Sequence, residues 1–456
     1  MEKSAKILRL GTAGLRGIVG NGLDLSSVAD FSCAFAMLLK NRKSPVLVAR
    51  DNRKSSQMLH NLVISSLLSM GEQVVDGGVL PTGCCQFIVK KFHYAGGILI
   101  SGGHQEANWN SIIPLNSNGE YFNSNERREL YDTYHSKNFQ YATINELKKV
   151  QPINQVEIDE YFNFLRNYFD CEKIKNAKFK VIFDCCNGSG GFFLDRIGEV
   201  FGLELVKVNA DLECDTLPRS PEPSEKTGKF IAAVIKELKG DIGIVFNSDV
   251  SRLSIVTENG EALSEEKTFP LALDYILDKD NSCDYVCTNI CSTSAIDQIA
   301  KKYQRKVEKT ATGIASIMEK MHLLNSFLGG EGSGSFVYGN DIPGCDGFFM
   351  LGFLLEAMAN SGDKISDRAK KLPELFMKKM VIRSEKLHRY SKLRGFKNLF
   401  KKCHVSELDG IRFDFEDGFL SIRFSGTDKL IRLISESKDK KLAEERIWFA
   451  KSKLEL

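Results

Sequence analysis

The chain has 456 residues, 43% of them hydrophobic and 27% charged, the balance of a soluble globular protein of two to four domains. Its formal net charge is +3, from 62 Lys and Arg against 59 Asp and Glu, with no run of five or six like charges, so neither nucleic acid nor a membrane is expected as a partner. No apolar segment follows the first lysines, and the longest apolar stretch, Phe348 to Ala359, is too short to span a bilayer and carries Glu356; a cytoplasmic location is expected, with the twelve cysteines as reduced thiols.

One local grammar recurs along the chain: a short β-branched run, a Gly or Asp turn, then an amphipathic helix. Val46 to Arg50 ends at Asp51, and Ser55 to Ser69 has helical periodicity. Val181 to Asp184 runs into a Gly-rich turn ending at Gly191, with a helix expected over Phe192 to Phe201. Ile242 to Phe246 runs into Asn247 and a polar turn. Cys283, Cys287 and Cys291 recur every fourth residue, but the segment Asp284 to Ile290 is strand-like and carries no His, so they read as packing residues. Alternating strands and helices imply α/β layers with mostly parallel pairing, and place ligand chemistry in the loops beyond the carboxyl ends of the strands. The charged stretch Ser361 to Lys379 reads as a linker. Beyond it, Gly410 to Gly418 and Phe419 to Phe424 alternate about a Glu-Asp-Gly turn, Leu430 to Glu436 follows, and a charged helix begins near Lys440: a small α+β domain with an antiparallel sheet.

Five loops carry candidate chemistry. Gly11-Thr-Ala-Gly-Leu-Arg-Gly17 suits a backbone that approaches an anion, with Arg16 beside it; a simple tight turn accounts for it as well. The strand Gly96 to Ile100 feeds Ser101-Gly-Gly-His104, where His104 is either functional or a packed loop histidine. Asn247, Asp249 and Ser251 alternate oxygen-bearing side chains that suit a hard cation, although a polar strand-end turn explains them too. Leu328-Gly-Gly-Glu-Gly-Ser-Gly-Ser335 sets Glu331 between glycines, a carboxylate that suits sugar hydroxyls, although a flexible loop accounts for it as well. Arg423, Ser425, Gly426, Thr427 and Lys429 put a guanidinium, hydroxyls, an ammonium and backbone N–H groups in one turn, a combination suited to a phosphate monoester, although an ordinary hairpin explains it too.

In this order the loops resemble the α-D-phosphohexomutase superfamily, the phosphoglucomutases, phosphomannomutases and phosphoglucosamine mutases. The resemblance spans essentially the whole chain. The family's G-T-[SA]-G-[LI]-R-G appears at residues 11–17, its R-D-x-R-x-S-S at Arg50 to Ser56, its G-G-E-x-S-G at residues 329–334, and its R-x-S-G-T at Arg423 to Thr427, with Asp428-Lys429 in place of Glu-Pro. Trp109 to Glu120 and Asp249-Val-Ser-Arg-Leu look closest to the phosphoglucosamine mutase type. The resemblance implies three α/β sandwich domains and a C-terminal α+β domain around a central cleft, with boundaries at 1–150, 151–256, 257–370 and 371–456. It also implies Mg²⁺ as cofactor, a hexose 1,6-bisphosphate as activator, and a hinge near residues 360–380 about which the last domain rotates.

Two loops depart from the pattern. The family's T-A-S-H-N-P carries the serine whose phosphate is donated; here the stretch is Ser101-Gly-Gly-His-Gln-Glu106, with Gly103 at the nucleophile's place. The family's D-G-D-x-D-R is Asn247-Ser-Asp-Val-Ser-Arg252, one carboxylate where three are usual, so Mg²⁺ is expected to bind weakly if at all. Ile113 stands where the family has a lysine. Kept binding loops and lost chemical loops imply a hexose phosphate binder with impaired or lost phosphoryl transfer. Arg423, Ser425, Gly426, Thr427 and Arg432 would clamp the phosphate, Glu331 and Ser333 would read the sugar, and Arg16, His104 and Arg252 would line the altered centre. A working mutase using Ser101 or His104 is the alternative. A scaffold, as monomer, homodimer or partner of an active mutase, is a third.

Overall fold

The computed structural model describes residues 7–40, 43–280, 282–339, 342–383, 395–398, 400, 403–424 and 430–454. The chain divides into two compact units, residues 1–268 with 333–368, and residues 269–332 with 369–456.

In the first unit, apolar β-rich segments form the middle of a mixed sheet. Its order is Leu8–Gly11, Gly14–Val19, Trp109–Leu115, Gly96–Ile100, Val46–Arg50, Val74–Val79 and Gln151–Pro152. Val46–Arg50 runs parallel to Val74–Val79 and Gly96–Ile100, as the strand–helix alternation predicts. Trp109–Leu115 returns antiparallel to both Gly96–Ile100 and Gly14–Val19. Only eight residues connect it to Ile100, too few for the crossover that parallel strands need, so the sheet is more mixed than expected. Leu8–Gly11 and Gly14–Val19 form a hairpin in which a Cβ on Gly14, at φ +121, would meet the Ile112 carbonyl at 2.3 Å. The glycine-rich loop at 11–17 is thus a tight turn and a strand laid against the sheet.

A second sheet in this unit has the order Glu204–Val208, Lys180–Asp184, Ile242–Phe246, Leu253–Thr257, with the last pair antiparallel. The apolar stretch near 348–359 is the buried helix Gly347–Ser361, capped by Asp346. It packs Phe349 and Phe353 against Tyr168, Phe169, Phe336 and Tyr338, with the rings of Phe169 and Phe353 edge to face at 5.1 Å.

In the second unit, Lys306–Thr310, Tyr285–Asn289 and Leu328–Glu331 pair in parallel. Cys287 lies within this sheet, and burial pushes its thiol up to about 12, the behaviour of a packing residue. The C-terminal sheet is antiparallel throughout, in the order Phe376–Arg383, Leu430–Ser437, Gly418–Phe424, Ile411–Phe415, His404–Ser406, with helix Lys440–Lys453 following it. The stretch read as a linker is largely structured: helix Ile365–Lys371 and the start of Phe376–Arg383 occupy it, leaving residues 372–375 between them. Among the described residues no helix is long and apolar enough to cross a membrane. The architecture is three α/β domains and a fourth, C-terminal domain built on an antiparallel sheet.

Candidate functional site

Three strands of the first unit end at one place. Val46–Arg50 delivers Asp51 and Arg53, Gly96–Ile100 delivers Ser101 to Gly103, and Ile242–Phe246 delivers Asn247 to Ser251. These are carboxyl ends of strands, where α/β sheets place their ligands.

Ser101 joins the three loops. Its side chain is buried, with 1% of the residue exposed. Ser101 Oγ lies 2.5 Å from Asp249 Oδ2 and 3.1 Å from Asp51 Oδ2, and accepts the Gly103 N–H at 2.9 Å. With one proton to give, the hydroxyl donates over the shorter contact, to Asp249. Asp51, fully buried, also accepts from the Gly102 N–H (3.0 Å) and from the Arg53 N–H and Nε (3.2 Å each). Ser56 Oγ donates to its other oxygen. Ser248 Oγ lies 2.9 Å from both Asp51 Oδ2 and the Gly103 carbonyl.

The Arg53 guanidinium sits inside the loop that follows Ser101. Nη2 donates to the carbonyls of Gly103 (3.0 Å) and Gln105 (2.6 Å), and Nη1 to those of Glu106 (2.9 Å) and Trp109 (3.4 Å). Nε is also 3.3 Å from Ser248 Oγ. The rigid fork of an arginine is what lets one side chain hold four carbonyls and a carboxylate. Asn110 closes the base of the loop, donating to Ser55 Oγ and Ser56 Oγ at 2.9 Å each.

The residues at 247–251 do not fit Mg²⁺. Asp249 is their single carboxylate. Its Oδ1 accepts from Asn247 Nδ2 (2.8 Å), Ser251 Oγ (2.7 Å) and Ser251 N–H (3.2 Å), and its Oδ2 from Ser101. The Arg252 N–H donates to Asn247 Oδ1 at 3.1 Å, which turns the amide's NH₂, rather than its oxygen, toward Asp249. Both oxygens a cation would take already accept hydrogen bonds, and among the described residues no group of three or more His, Cys, Asp or Glu is placed to hold a metal.

The other expected residues are placed as follows. Gly103 adopts φ +54, and a Cβ there would stand 3.5 Å from Asp249 Oδ2 and 3.9 Å from Asn247 Nδ2. His104 Nε2 is 3.0 Å from Gln105 Nε2. Arg16 stands on Gly14–Val19 opposite Ser111. Arg252 Nη1 is 3.8 Å from Glu222 Oε1. Ser333 Oγ is 3.2 Å from Ser335 Oγ. In the second unit, Glu331 is buried and accepts from Asn289 Nδ2 at 2.8 Å. Arg423 Nη1 is bonded to Thr312 Oγ1 and lies 3.1 Å from Asp409 Oδ2, and Thr312 Oγ1 donates to the same carboxylate at 2.7 Å. Arg432 faces Arg423 across neighbouring strands. Ser425, Gly426, Thr427 and Lys429 lie outside the described residues.

Asp51 and Arg53 stand in the Arg50 to Ser56 motif and Ser248 in the loop Asn247 to Arg252, but nothing in the sequence singles out any of the three as a site residue. Asp409, the partner of Arg423, has no local signal; only the fold brings it there.

Family models of the phosphoglucomutase/phosphomannomutase α/β/α domains I, II and III match residues 8–141, 159–260 and 264–376. The chain is 30% identical over 446 residues to a phosphoglucomutase/phosphomannomutase of Thermococcus kodakarensis, covering 95% of this chain and 96% of that one. It is 28% identical over 440 residues to a phosphoglucosamine/phosphogalactosamine mutase of Sulfurisphaera tokodaii, again covering 95% and 96%. A solved structure of a putative phosphomannomutase from Thermus thermophilus superposes with a TM-score of 0.83 at 20% identity, over 99% of this chain and all of that one. The chain belongs to the phosphoglucomutase/phosphomannomutase family, within the α-D-phosphohexomutase superfamily.

Proposed function

We propose that this chain binds a hexose phosphate and has lost the serine-and-metal relay by which its relatives move the phosphoryl group. The observation that carries the reading is the state of the reaction centre. Gly103 offers no nucleophile, and the carboxylate that would share a metal already accepts from Ser101, Asn247 and Ser251. In this reading Arg423, Arg432 and the turn Ser425 to Thr427 take the non-reacting phosphate. Glu331 and Ser333 read sugar hydroxyls, while Arg16, His104 and Arg252 border the altered centre.

The rival reading is turnover through Ser101, and one contact favours it: a carboxylate 2.5 Å from the hydroxyl is placed as a base. Against it stands charge. A phosphoryl group on Ser101 Oγ would sit between Asp51 and Asp249, and each like charge at that range opposes it by about 4 kcal/mol at an effective dielectric near 20. Arg53 offsets one of the two.

A bisphosphate-primed assay of hexose 6-phosphate to 1-phosphate conversion separates the readings. Wild type is expected to be silent, and a Gly103→Ser, Asn247→Asp, Ser251→Asp triple variant to turn over with Mg²⁺. Wild-type turnover that disappears in Ser101→Ala would establish the rival. Calorimetric titration with glucose, mannose and glucosamine phosphates tests binding itself; no heat at millimolar ligand would leave only a scaffold role, such as pairing with an active mutase.

A further inference from the structure

We infer that this loop cluster is built to stand without a divalent cation, with Arg53 offsetting one of its two buried carboxylates and neutral donors clamping its loops. The inference concerns the cluster alone and holds whether or not the chain binds a hexose phosphate.

The argument begins with charge. Aspartates at 247 and 251 would add two negative charges to the cluster, and a divalent cation would bring two positive charges to offset them. Asn247 and Ser251 remove those negative charges outright. What remains is Asp51 and Asp249 against Arg53, the same formal balance reached without an ion. Loss of the carboxylates and loss of the cation are therefore one electrostatically neutral exchange, whereas either alone would leave uncompensated charge in a buried site.

Geometry completes the argument. A cation would gather oxygens from the loops at Ser101–Gly103 and Asn247–Ser251. Here hydroxyls bind those same loops together: Ser101 Oγ reaches Asp249, and Ser248 Oγ reaches Asp51 and the Gly103 carbonyl. Arg53, 3% exposed, then gathers carbonyls from Gly103 to Trp109 around its guanidinium. Room for that group depends on Gly102, since a Cβ there would fall 2.3 Å from Arg53 Cζ. Each replacement supplies a donor where a metal would have been the acceptor's partner.

Mn²⁺ titration followed by electron paramagnetic resonance, with thermal melts in EDTA and in Mg²⁺, tests this on the full chain. Wild type is expected to leave the free Mn²⁺ signal as in buffer up to about millimolar ion and to melt at one temperature in both media. The N247D/S251D variant is expected to melt lower in EDTA, to take up one Mn²⁺ per chain and to regain its melting temperature with it. Wild-type uptake that is lost in D249N, or a wild-type melt lowered by EDTA, would overturn the inference. Uptake that survives D249N lies elsewhere and leaves it standing. A folded double variant that takes up no Mn²⁺ would overturn the charge argument, and if that variant does not fold the wild-type arms decide alone.

Discussion

A methyl group on Gly102 would lie 2.3 Å from Cζ of Arg53, far inside van der Waals contact, so this glycine and this guanidinium are fitted to each other. The next residue differs. A Cβ on Gly103 has open space to 3.5 Å, and its obstacle is φ +54. Gly102→Ala is therefore expected to cost more than Gly103→Ala: about 1–3 kcal/mol from overpacking against a held side chain, beside about 1 kcal/mol from left-handed backbone. Urea unfolding of both variants measures the order. A Gly103→Ala penalty equal to or larger than that of Gly102→Ala would mean that Arg53 yields easily.

Removing Arg53 leaves Asp51 buried with its charge unpaired and takes a donor from four carbonyls, of which those of Gly103 and Glu106 keep another. Arg53→Met is expected to destabilise the chain by about 3–5 kcal/mol. Arg53→Lys keeps the charge but not the planar fork, and should recover only part of the loss. Chemical denaturation is the measurement, and a lysine variant as stable as wild type would show that charge alone matters.

Asp346 supplies a pH signature. Burial lifts its carboxyl to about 6 from an ordinary value of 3.8, against the downward pull of the Tyr161 hydroxyl at 2.7 Å and of the Phe349 and Phe348 N–H groups that it caps. A folded value above the unfolded one binds more protons in the native state. The stabilisation is thus complete below 3.8 and is lost as pH rises through about 6. Asp346→Asn keeps an acceptor for the cap and cannot ionise. Its stability relative to wild type is expected to rise between about pH 4 and about pH 7, by about 3 kcal/mol at most. Parallel urea titrations at several pH values give the difference curve, and a flat one would remove Asp346 as its source.

Asp409 acts on the proposed phosphate clamp. Its carboxylate holds Arg423 at 3.1 Å and takes the Thr312 hydroxyl and N–H at 2.7 and 3.0 Å, so an incoming phosphate competes with an anion already present. Asp409→Asn is expected to tighten hexose phosphate binding about threefold to tenfold, as a surface-proximal ion pair of about 1 kcal/mol is released. Calorimetry with glucose 6-phosphate reads the change. Weaker binding in the variant would mean that Asp409 orients Arg423 rather than competing for it.

Much of the fold was legible because its signals are local. The helix expected over Ser55 to Ser69 is Ser56–Ser69, and the alternating C-terminal segments became Ile411–Phe415, Gly418–Phe424 and Leu430–Ser437. The boundary between the two units does fall within the 361–379 stretch read as a linker, but Ile365–Lys371 inside it is a short helix, because charge density marks exposed faces as well as loops. That residues 103, 247 and 251 are Gly, Asn and Ser, with no nucleophile and no carboxylate among them, could be read directly from the sequence. What surrounds them in the fold could not.

By itself the sequence determined the family, the order of domain-scale units and the chemical groups each loop brings, since all are set by residue identity and short-range periodicity. Only the tertiary structure decided which of those groups meet. Ser101 lies 50 residues from Asp51 and 148 from Asp249, yet its one hydroxyl meets both. Arg53 fills a space that Gly102 leaves, and Asp409 finds Arg423 through folding of the chain between them. Hydrogen bonds act over about 3 Å, and which groups come that close is fixed by how strands pair and pack, a relation with no counterpart in spacing along the chain.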